Sequence, residues 1–404
     1  MIYKRPSDKK FLYQFIPEKY TYLLKVPKIE YNGVNLKTDY IINIIHELIL
    51  KYYFHKDDVI EKELKFNIWS ILLKEKYGAY YNYYINYLVD NKFMIMSSDY
   101  YRNQKARTYM LNIKSLEYIT KCKVYDKILL KKHSQEYLKK TFLNYTNSPI
   151  PLEIREKLVN DLYKVKIDVD SSINFLNKLK ENREIYYNKY QKNMISVENI
   201  GINNIFFKFD EYGRMHTNFT VLKKEIRKNY ITIDGLPTYE VDISNSQPLF
   251  LAVLMINKLS KSELIRPDVS KYIDLVKNNL IYDEIINICK LKDRNEAKIM
   301  MYRVLFGKNG VKKRENILFG KTFPTVYKFI LDYKESAKDY KILSHDLQLK
   351  ESEFIFNKVV SHLIRHYPEI SIFTVHDSIV VPIKYKDKVE EIFQYYLRSL
   401  ISLN

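Results

Sequence analysis

The sequence predicts an α+β protein, mainly helical in its N-terminal half and mixed in its C-terminal half. Up to about residue 200, apolar residues recur at helical spacing in segments separated by short polar breaks. From Ile205 onward, short apolar runs rich in β-branched residues alternate with helical patterns. At 404 residues the chain is long enough for two or three domains with their own cores.

The composition indicates a polyanionic partner. The chain carries 67 Lys and Arg residues against 48 Asp and Glu residues, a formal net charge of +19. Counterion release favours binding of such a chain to nucleic acid. The 38 tyrosines offer rings for stacking on unpaired bases, although an AT-rich genome alone also enriches tyrosine and lysine.

The sequence predicts a cytoplasmic protein with no membrane partner. Apolar residues are scattered among charges rather than gathered into a membrane span. The first residues, Met1 to Pro6, do not resemble the start of a signal peptide. Cys122 and Cys289 are too few for a disulfide framework or a cysteine metal cluster.

Residues 1–35 are predicted to form a basic arm, and residues 36–115 a winged-helix-like domain. Three helical patterns, at 40–53, 64–77 and 79–90, precede two strand patterns at 93–96 and 108–111. Such a domain binds nucleic acid or a protein partner. The predicted phosphate contacts at the hairpin tip are Arg102, Lys105 and Arg107.

Residues 116–200 are predicted to form a helical connector or a thumb. The tract is rich in lysine and is interrupted at 148–151 by two prolines. Within it, residues 174–192 carry charges on most faces, which is typical of one long helix flanked by solvent.

Residues 201–404 are predicted to form a mixed core. Its predicted strands are 205–210, 239–243, 370–375 and 379–382, of which the last two pair as a hairpin. Its predicted helices are 248–258, 293–306 and 348–362.

Two aspartates in this core are candidate metal ligands. Asp242 stands at the end of an apolar strand, and Asp377 stands at the tip of the predicted hairpin. Either aspartate alone is more often an ordinary turn residue. Together they match the chemistry of phosphoryl transfer, in which two divalent ions need few protein carboxylates because phosphate and water complete their coordination.

The predicted helix between the two aspartates carries the groups that would hold a triphosphate. Asp293 and Glu296 have the spacing of a capping box at its start, and Gly307 follows its end. A stripe with two cations and then two aromatic rings recurs every four residues. Its members are Arg294, Lys298, Tyr302 and Phe306.

These segments resemble the A-family DNA polymerases and the single-subunit phage-type RNA polymerases. Asp242-x-Ser244-x-x-Gln247 is similar to motif A, Arg294-x3-Lys298-x7-Phe306-Gly307 to motif B, and His376-Asp377-Ser378 to motif C. Gly213-Arg214 is similar to the Gly-Arg element that touches the template or primer backbone, and Gln348 to a glutamine that reads the primer terminus. The resemblance covers residues 205–385. It implies the palm and fingers of a right-hand polymerase over 201–404.

The resemblance also implies a role for each matching residue. Asp242, Asp377 and the backbone carbonyl of Ile243 would bind two Mg²⁺ ions, for which Mn²⁺ is a possible substitute. Lys298 would also donate a proton to the departing pyrophosphate. The implied nucleotide-binding residues are Arg294, Lys298, Tyr302, Phe306, Gln247 and Ser244. The implied nucleic-acid contacts are Arg214, Gln348 and His376.

Three departures from the DNA polymerases indicate relaxed sugar selectivity. This chain has Gln247 and Ser378 where those enzymes usually carry glutamate, and Phe306 where they usually carry tyrosine. The Glu-to-Tyr hydrogen bond that filters ribonucleotides is therefore missing. His-Asp-Ser is the form that the RNA polymerases show.

The sequence as a whole predicts a template-directed nucleotidyltransferase on DNA, acting as a primase. It is most similar to the small primase-like A-family polymerases of mobile genetic elements such as staphylococcal cassette chromosomes. The expected partners are a single-stranded or primer–template DNA and nucleoside triphosphates, with a small accessory protein and a replicative helicase as further candidates.

Three alternatives stay open. They are a primer-extending DNA polymerase, a single-subunit RNA polymerase, and a DNA-binding replication-initiation protein on an inactive polymerase scaffold. The presence of both aspartates, Arg294 and Lys298 argues against the inactive scaffold.

Overall fold

The computed structural model describes residues 10–54, 65–67, 70–96, 108–112, 114, 118–146, 149–310 and 314–400. The fold is α+β, as predicted. The chain divides into two compact units, each made from two segments. The first unit contains the chain up to Phe142 together with Leu176–Ile195, and the second contains Leu143–Phe175 together with Ser196 onward.

The secondary structure follows in chain order. The strands are β1 Leu12–Pro17, β2 Lys28–Tyr31, β3 Val34–Lys37, β4 Lys65–Asn67, β5 Met94–Met96, β6 Thr108–Leu111, β7 Ile119–Val124, β8 Val165–Ile167, β9 Phe207–Phe209, β10 Met215–Thr217, β11 Ile231–Ile233, β12 Leu236–Asp242, β13 Phe373–Val375 and β14 Ser378–Pro382.

The α-helices are α1 Thr38–Phe54, α2 Ser70–Tyr77, α3 Tyr81–Asp90, α4 Lys127–Thr146, α5 Leu152–Leu162, α6 Val169–Glu181, α7 Tyr187–Gly201, α8 Asn218–Val221, α9 Lys224–Tyr230, α10 Ser246–Lys258, α11 Lys261–Leu264, α12 Pro267–Lys277, α13 Ile281–Cys289, α14 Arg294–Phe306, α15 Arg314–Thr322, α16 Pro324–Ser336, α17 Ile342–Ser352, α18 Ser361–His366 and α19 Lys386–Leu400. Short 3-10 turns lie at Glu18–Lys25 and Ile383–Tyr385, and a π-helical stretch, Glu353–Val360, joins α17 to α18.

The first unit begins with folded structure where the sequence predicted a basic arm. Strand β1 pairs antiparallel with β7 along its whole length, and β2 pairs with β3. Phe15 and Ile16 of β1 are buried beside the apolar helix α1. The arm prediction failed because its apolar residues find a strand partner about a hundred residues away, which local periodicity does not reveal.

The helices and the hairpin predicted for residues 36–115 are present. Helices α1, α2 and α3 and a three-stranded sheet of order β4-β6-β5 occur in this segment. The predicted helix at 64–77 is wrong at its start, because residues 65–67 form a strand paired with β6. The predicted hairpin-tip contacts Arg102, Lys105 and Arg107 lie outside the described residues.

The prediction of one helix over 174–192 is also wrong. Helix α6 ends at Glu181 and α7 begins at Tyr187. Between them Arg183 adopts a left-handed backbone, with φ 58°. The Glu184 N–H donates to the Leu179 carbonyl at 2.8 Å and closes the end of α6.

The second unit is built on a five-stranded antiparallel sheet of order β13-β14-β12-β11-β8. Its strand β14 is buried along all five residues. The buried Asp161 of α5 ties the sheet to the helix before it, because its carboxylate accepts from the Ile372 N–H at 2.9 Å and pairs with Lys157 and Lys164. The predicted strands and helices of 201–404 are present with shifted ends.

Among the helices of the described residues, none is both long enough and apolar enough to cross a membrane.

Candidate functional site

The sheet of the second unit brings Asp242 and Asp377 together. In the ladder between β12 and β14, Asp242 faces Ser378, the residue directly after Asp377. Adjacent strands lie about 4.8 Å apart. The two carboxylates that the sequence places on separate elements therefore lie at the same end of two adjacent strands.

The turn that carries Asp377 is tight. Val375 pairs with Ser378, so that His376 and Asp377 are the two residues between the strands. His376 adopts a left-handed backbone with φ 54°, which costs a residue with a Cβ about 1 kcal/mol. Strained turns of this kind persist where the surrounding structure fixes them, and they are common at functional sites.

Negative charge is concentrated at the aspartate pair. Desolvation, followed by the charges of Glu351 and Asp242, raises the pKa of Asp377 to about 7. Desolvation also raises the pKa of Asp242, although its side chain has an exposed face, and the Lys224 and Lys298 cations act in the opposite direction. Because the charge of Asp242 disfavours ionisation of Asp377, the pair favours a bound cation that offsets this repulsion.

Glu240 occupies the same face of β12 as Asp242, two residues earlier. Its carboxylate accepts a hydrogen bond from the Ser378 hydroxyl at 3.1 Å and pairs with Arg227 at 3.3 Å. Ser378 is therefore tied to β12 by its side chain as well as by its backbone.

Helix α14 presents its predicted stripe outward. The Asp293 side chain caps the helix by accepting from the Asn295 and Glu296 N–H groups at 2.8 and 2.9 Å. The side chains of Arg294, Lys298 and Tyr302 are exposed. The opposite face of the helix is buried through Ala297, Met300, Met301, Val304 and Leu305.

The stripe lies close to the aspartates. The charge of Lys298 opposes the desolvation that raises the pKa of Asp242. Desolvation, followed by the charge of Asp377, raises the pKa of Tyr302. Tyr302 stacks on Phe306, with ring centroids 5.5 Å apart. The structure thus groups cations, aromatic rings and carboxylates from three elements that the sequence predicted separately.

Tyr282 organises the two cations and was not predicted. Its buried ring lies 5.1 Å from the Arg294 guanidinium carbon and 5.9 Å from the Lys298 ammonium nitrogen. The Tyr282 ring is thus within cation–π range of both cations. No local pattern marks this tyrosine among the chain's 38.

Lys334 of α16 anchors the far end of α14 and was also missed. It is 3% exposed, and its ammonium donates to the carbonyls of Val304 and Gly307, each at 2.9 Å. These are carbonyls at a helix end, where no helical partner is available. Desolvation lowers the pKa of Lys334 to about 8.

The Gly213-Arg214 element forms a tight turn between β9 and β10. Asp210 accepts from the Tyr212 and Arg214 N–H groups at 3.0 and 2.8 Å. Gly213 has φ 80°, and a Cβ at this position would lie 3.1 Å from the Ser352 Cβ. Glycine suits both this left-handed conformation and the close approach to Ser352, and the turn brings Arg214 to α17.

Glu351 of α17 joins this turn to the start of α10, and the sequence did not predict it. Its carboxylate accepts from Arg214 Nε at 3.0 Å and also from Arg214 Nη2. The same carboxylate accepts from the Ser246 hydroxyl and from Gln247 Nε2, each at 2.6 Å. A buried carboxylate at 1% exposure requires such partners.

The other predicted residues are distributed around this network. Gln348 donates to the Ser344 hydroxyl at 3.0 Å. Ser244 is exposed and Ile243 is buried beside Asp242. Desolvation, followed by the charge of Arg214, lowers the pKa of His376 to about 4, although the side chain of His376 is exposed.

The aspartate pair fits a divalent ion only in part. In the described parts of the chain, no group of three or more His, Cys, Asp and Glu side chains is arranged to hold a metal. Two carboxylates nevertheless suit Mg²⁺, which keeps several water or phosphate oxygens in its coordination shell. The pairing of Asp242 with Ser378, which sets the two aspartates at the same end of adjacent strands, is the observation that agrees with a cation here.

Comparison with the models of known protein families and with curated proteins gives no match to this chain.

Proposed function

We propose that this chain is a DNA-templated nucleotidyltransferase that synthesises primers. The observation that carries the proposal is the convergence of Asp242 and Asp377 with the Arg294–Lys298 stripe on one side of the second unit. Carboxylates for divalent ions beside cations for a polyphosphate are the groups that phosphoryl transfer requires. The palm and fingers, the family resemblance and the role of Mg²⁺ belong to this proposal.

Each group has a defined task in the proposed reaction. Asp242 and Asp377 hold the divalent ions, which when bound supply charge stabilisation for the attacking hydroxyl and the departing pyrophosphate. Arg294 and Lys298 bind the triphosphate through charge-assisted hydrogen bonds. Lys298, whose charge opposes the desolvation that raises the pKa of Asp242, gives a proton to the pyrophosphate as it leaves.

Two further residues hold the substrates in place. Tyr302, one helical turn beyond Lys298, lies beside the nucleotide sugar. Arg214, held in orientation by Glu351, contacts the phosphates of the growing strand. Both tasks contribute through positioning, which lowers the entropic barrier of a reaction between bound partners.

The test is primer-free synthesis on single-stranded DNA with Mg²⁺, with ribonucleotides and deoxynucleotides supplied separately. We expect short products, and we expect Asp377→Asn to lower their rate at least about a hundredfold because an uncharged amide binds the cation poorly. Glu335→Gln, which changes an exposed carboxylate on α16, is the matched control and should leave the rate unchanged.

The outcomes separate the alternative functions. Products that require an annealed primer would replace the primase with a primer-extending polymerase. Synthesis from a duplex promoter with ribonucleotides alone would indicate an RNA polymerase. No Asp377-dependent synthesis under any of these conditions would contradict the proposal and leave a DNA-binding scaffold.

A further inference from the structure

The Glu351 network fixes the side chain of Gln247. Gln247 is 6% exposed, and its Nε2 donates to Glu351 Oε2 at 2.6 Å. Its carbonyl oxygen is buried and finds no hydrogen-bond partner among the described residues. Glu351 therefore holds the Gln247 amide, and it does so from α17 rather than from α14.

The network adjoins the proposed catalytic groups. Helix α10, which carries Gln247, begins four residues after Asp242, and α17, which carries Glu351, packs against both α10 and α14. A triphosphate bound along Arg294 and Lys298, with its reacting phosphate at the aspartates, would place its sugar near this network. This step rests on the proposed function.

We propose that Glu351 is a positioning residue that holds Gln247 back from the incoming nucleotide, so that the site accepts a 2′-hydroxyl. The hydrogen bond draws the amide toward α17 and keeps it buried. Phe306 has no polar atom with which to hold Gln247 from the other side. Under this proposal, the withdrawn side chain does not obstruct the additional oxygen of a ribonucleotide.

A double-mutant cycle tests the proposal. The quantity is the ratio of kcat/KM for a ribonucleotide to kcat/KM for the matching deoxynucleotide. In Glu351→Ala the released Gln247 occupies the space beside the sugar, and the ratio should fall about tenfold. In Gln247→Ala, and in the variant that combines both changes, the ratio should stay near that of the unmodified protein.

The ratio separates a change in sugar selectivity from a general loss of activity or stability. Glu351→Ala also leaves Arg214 without its partner and lowers stability, but this loss affects both nucleotides equally and cancels. If Glu351 had only a structural role, the effect of Glu351→Ala on the ratio would not depend on the presence of Gln247. Glu351→Gln, which still accepts a hydrogen bond, should keep the ratio.

A second variant leaves Glu351 untouched. In Gln247→Glu two carboxylates face each other, and their repulsion should push the new side chain toward the sugar and lower the ratio. Thermal unfolding of each variant identifies those that have not folded. If the ratio is unchanged in both Gln247→Glu and Glu351→Ala, or if it falls equally when Gln247 is absent, the inference is overturned.

Failure of this inference is distinguishable from failure of the proposed function. If synthesis depends on Asp377 but the ribonucleotide-to-deoxynucleotide ratio does not change in the variants, only the role proposed for Glu351 is contradicted. Absence of Asp377-dependent synthesis in the unmodified protein removes both.

Discussion

At the scale of single residues, Asp377 links the candidate site to the stability of the protein. Its folded-state pKa of about 7 lies above the ordinary value of 3.8, so that the folded state holds this proton more tightly than the unfolded state. The resulting stabilisation is fully present below about pH 4 and is lost as the pH rises through about 7. Without metal, this residue therefore makes the protein progressively less stable as the pH rises from about 4 to about 7, and the loss persists at higher pH.

We expect Asp377→Asn to remove this pH dependence. Urea unfolding of the metal-free protein from pH 5 to pH 8 should show that the variant gains stability relative to the unmodified protein as the pH rises. Addition of Mg²⁺ at pH 8 should stabilise the unmodified protein and not the variant. Parallel pH profiles, or equal responses to Mg²⁺, would contradict the assignment of Asp377 as the proton and metal site.

The residues that sequence reasoning found differ physically from those that it missed. Asp242 and Asp377 are charged residues between apolar segments, and that contrast is visible locally. Glu351, Lys334 and Tyr282 act through partners on other elements. Glu351 lies 137 residues from Arg214 and 104 from Gln247. The burial of a charge depends on such distant partners, so the local sequence around Glu351 does not predict that its side chain is buried.

At the scale of elements, the two roles proposed for α14, substrate binding and proton transfer, can be tested separately. Arg294→Ala and Lys298→Ala should each lower kcat/KM for the nucleotide roughly ten- to a hundredfold, because a hydrogen bond to a charged group contributes about 1.5–3 kcal/mol. Steady-state kinetics with varied nucleotide measures the change. Arg303→Ala, at an exposed position of α14 outside the stripe, is the matched control and should have little effect.

Lys298→Arg tests the role of Lys298 as a proton donor separately from its role as a cation. Arginine keeps the cation but does not release a proton in proteins. We therefore expect kcat to fall while KM for the nucleotide stays near its original value. A rise in KM with kcat unchanged would show that Lys298 binds the triphosphate without acting as an acid.

Lys334→Met tests the anchor at the end of α14. The change leaves the carbonyls of Val304 and Gly307 without their donor, and we expect a loss of about 1–3 kcal/mol in the free energy of unfolding. Lys328→Met changes an exposed lysine of α16, the helix that also carries Lys334, and should be close to neutral. Equal stability of the two variants would show that the buried amine is dispensable.

The elements predicted best are those whose own sequence specifies them. Helix α14 has a cap at Asp293 and an apolar face, and the hairpin of β13 and β14 has two buried apolar strands around a short turn. By contrast, β1 and β8 become strands by pairing with β7 and β11. Their short sequences carry no comparable signal, because strand formation depends on the partner surface.

At the scale of the whole molecule, the net charge of +19 predicts salt-dependent binding of single-stranded DNA. With as few as about three phosphate contacts, the association constant should fall at least about tenfold between 50 and 200 mM salt. Fluorescence anisotropy of a labelled oligothymidylate, without Mg²⁺, measures this. Asp377→Asn should bind as the unmodified protein does, and a salt-independent affinity would contradict an electrostatic interaction.

The arrangement of the candidate site could be predicted only up to a point. Sequence order gave the succession of Asp242, α14 and Asp377, but not the antiparallel register that sets Asp242 against Ser378. A register is fixed by which faces of neighbouring strands are buried together. That information exists only once β12 and β14 lie in the same sheet.

The interleaved path of the chain has a practical consequence for dissecting the protein. The chain passes from one compact unit to the other at residues 142–143, 175–176 and 195–196. A single proteolytic cut therefore yields no fragment that contains one whole unit and nothing of the other. A fragment beginning at residue 201 would lack strand β8 at the edge of the five-stranded sheet and Asp161, which binds the Ile372 backbone. Isolating the second unit requires residues 143–175 joined to 196–404, with a linker in place of the excised segment.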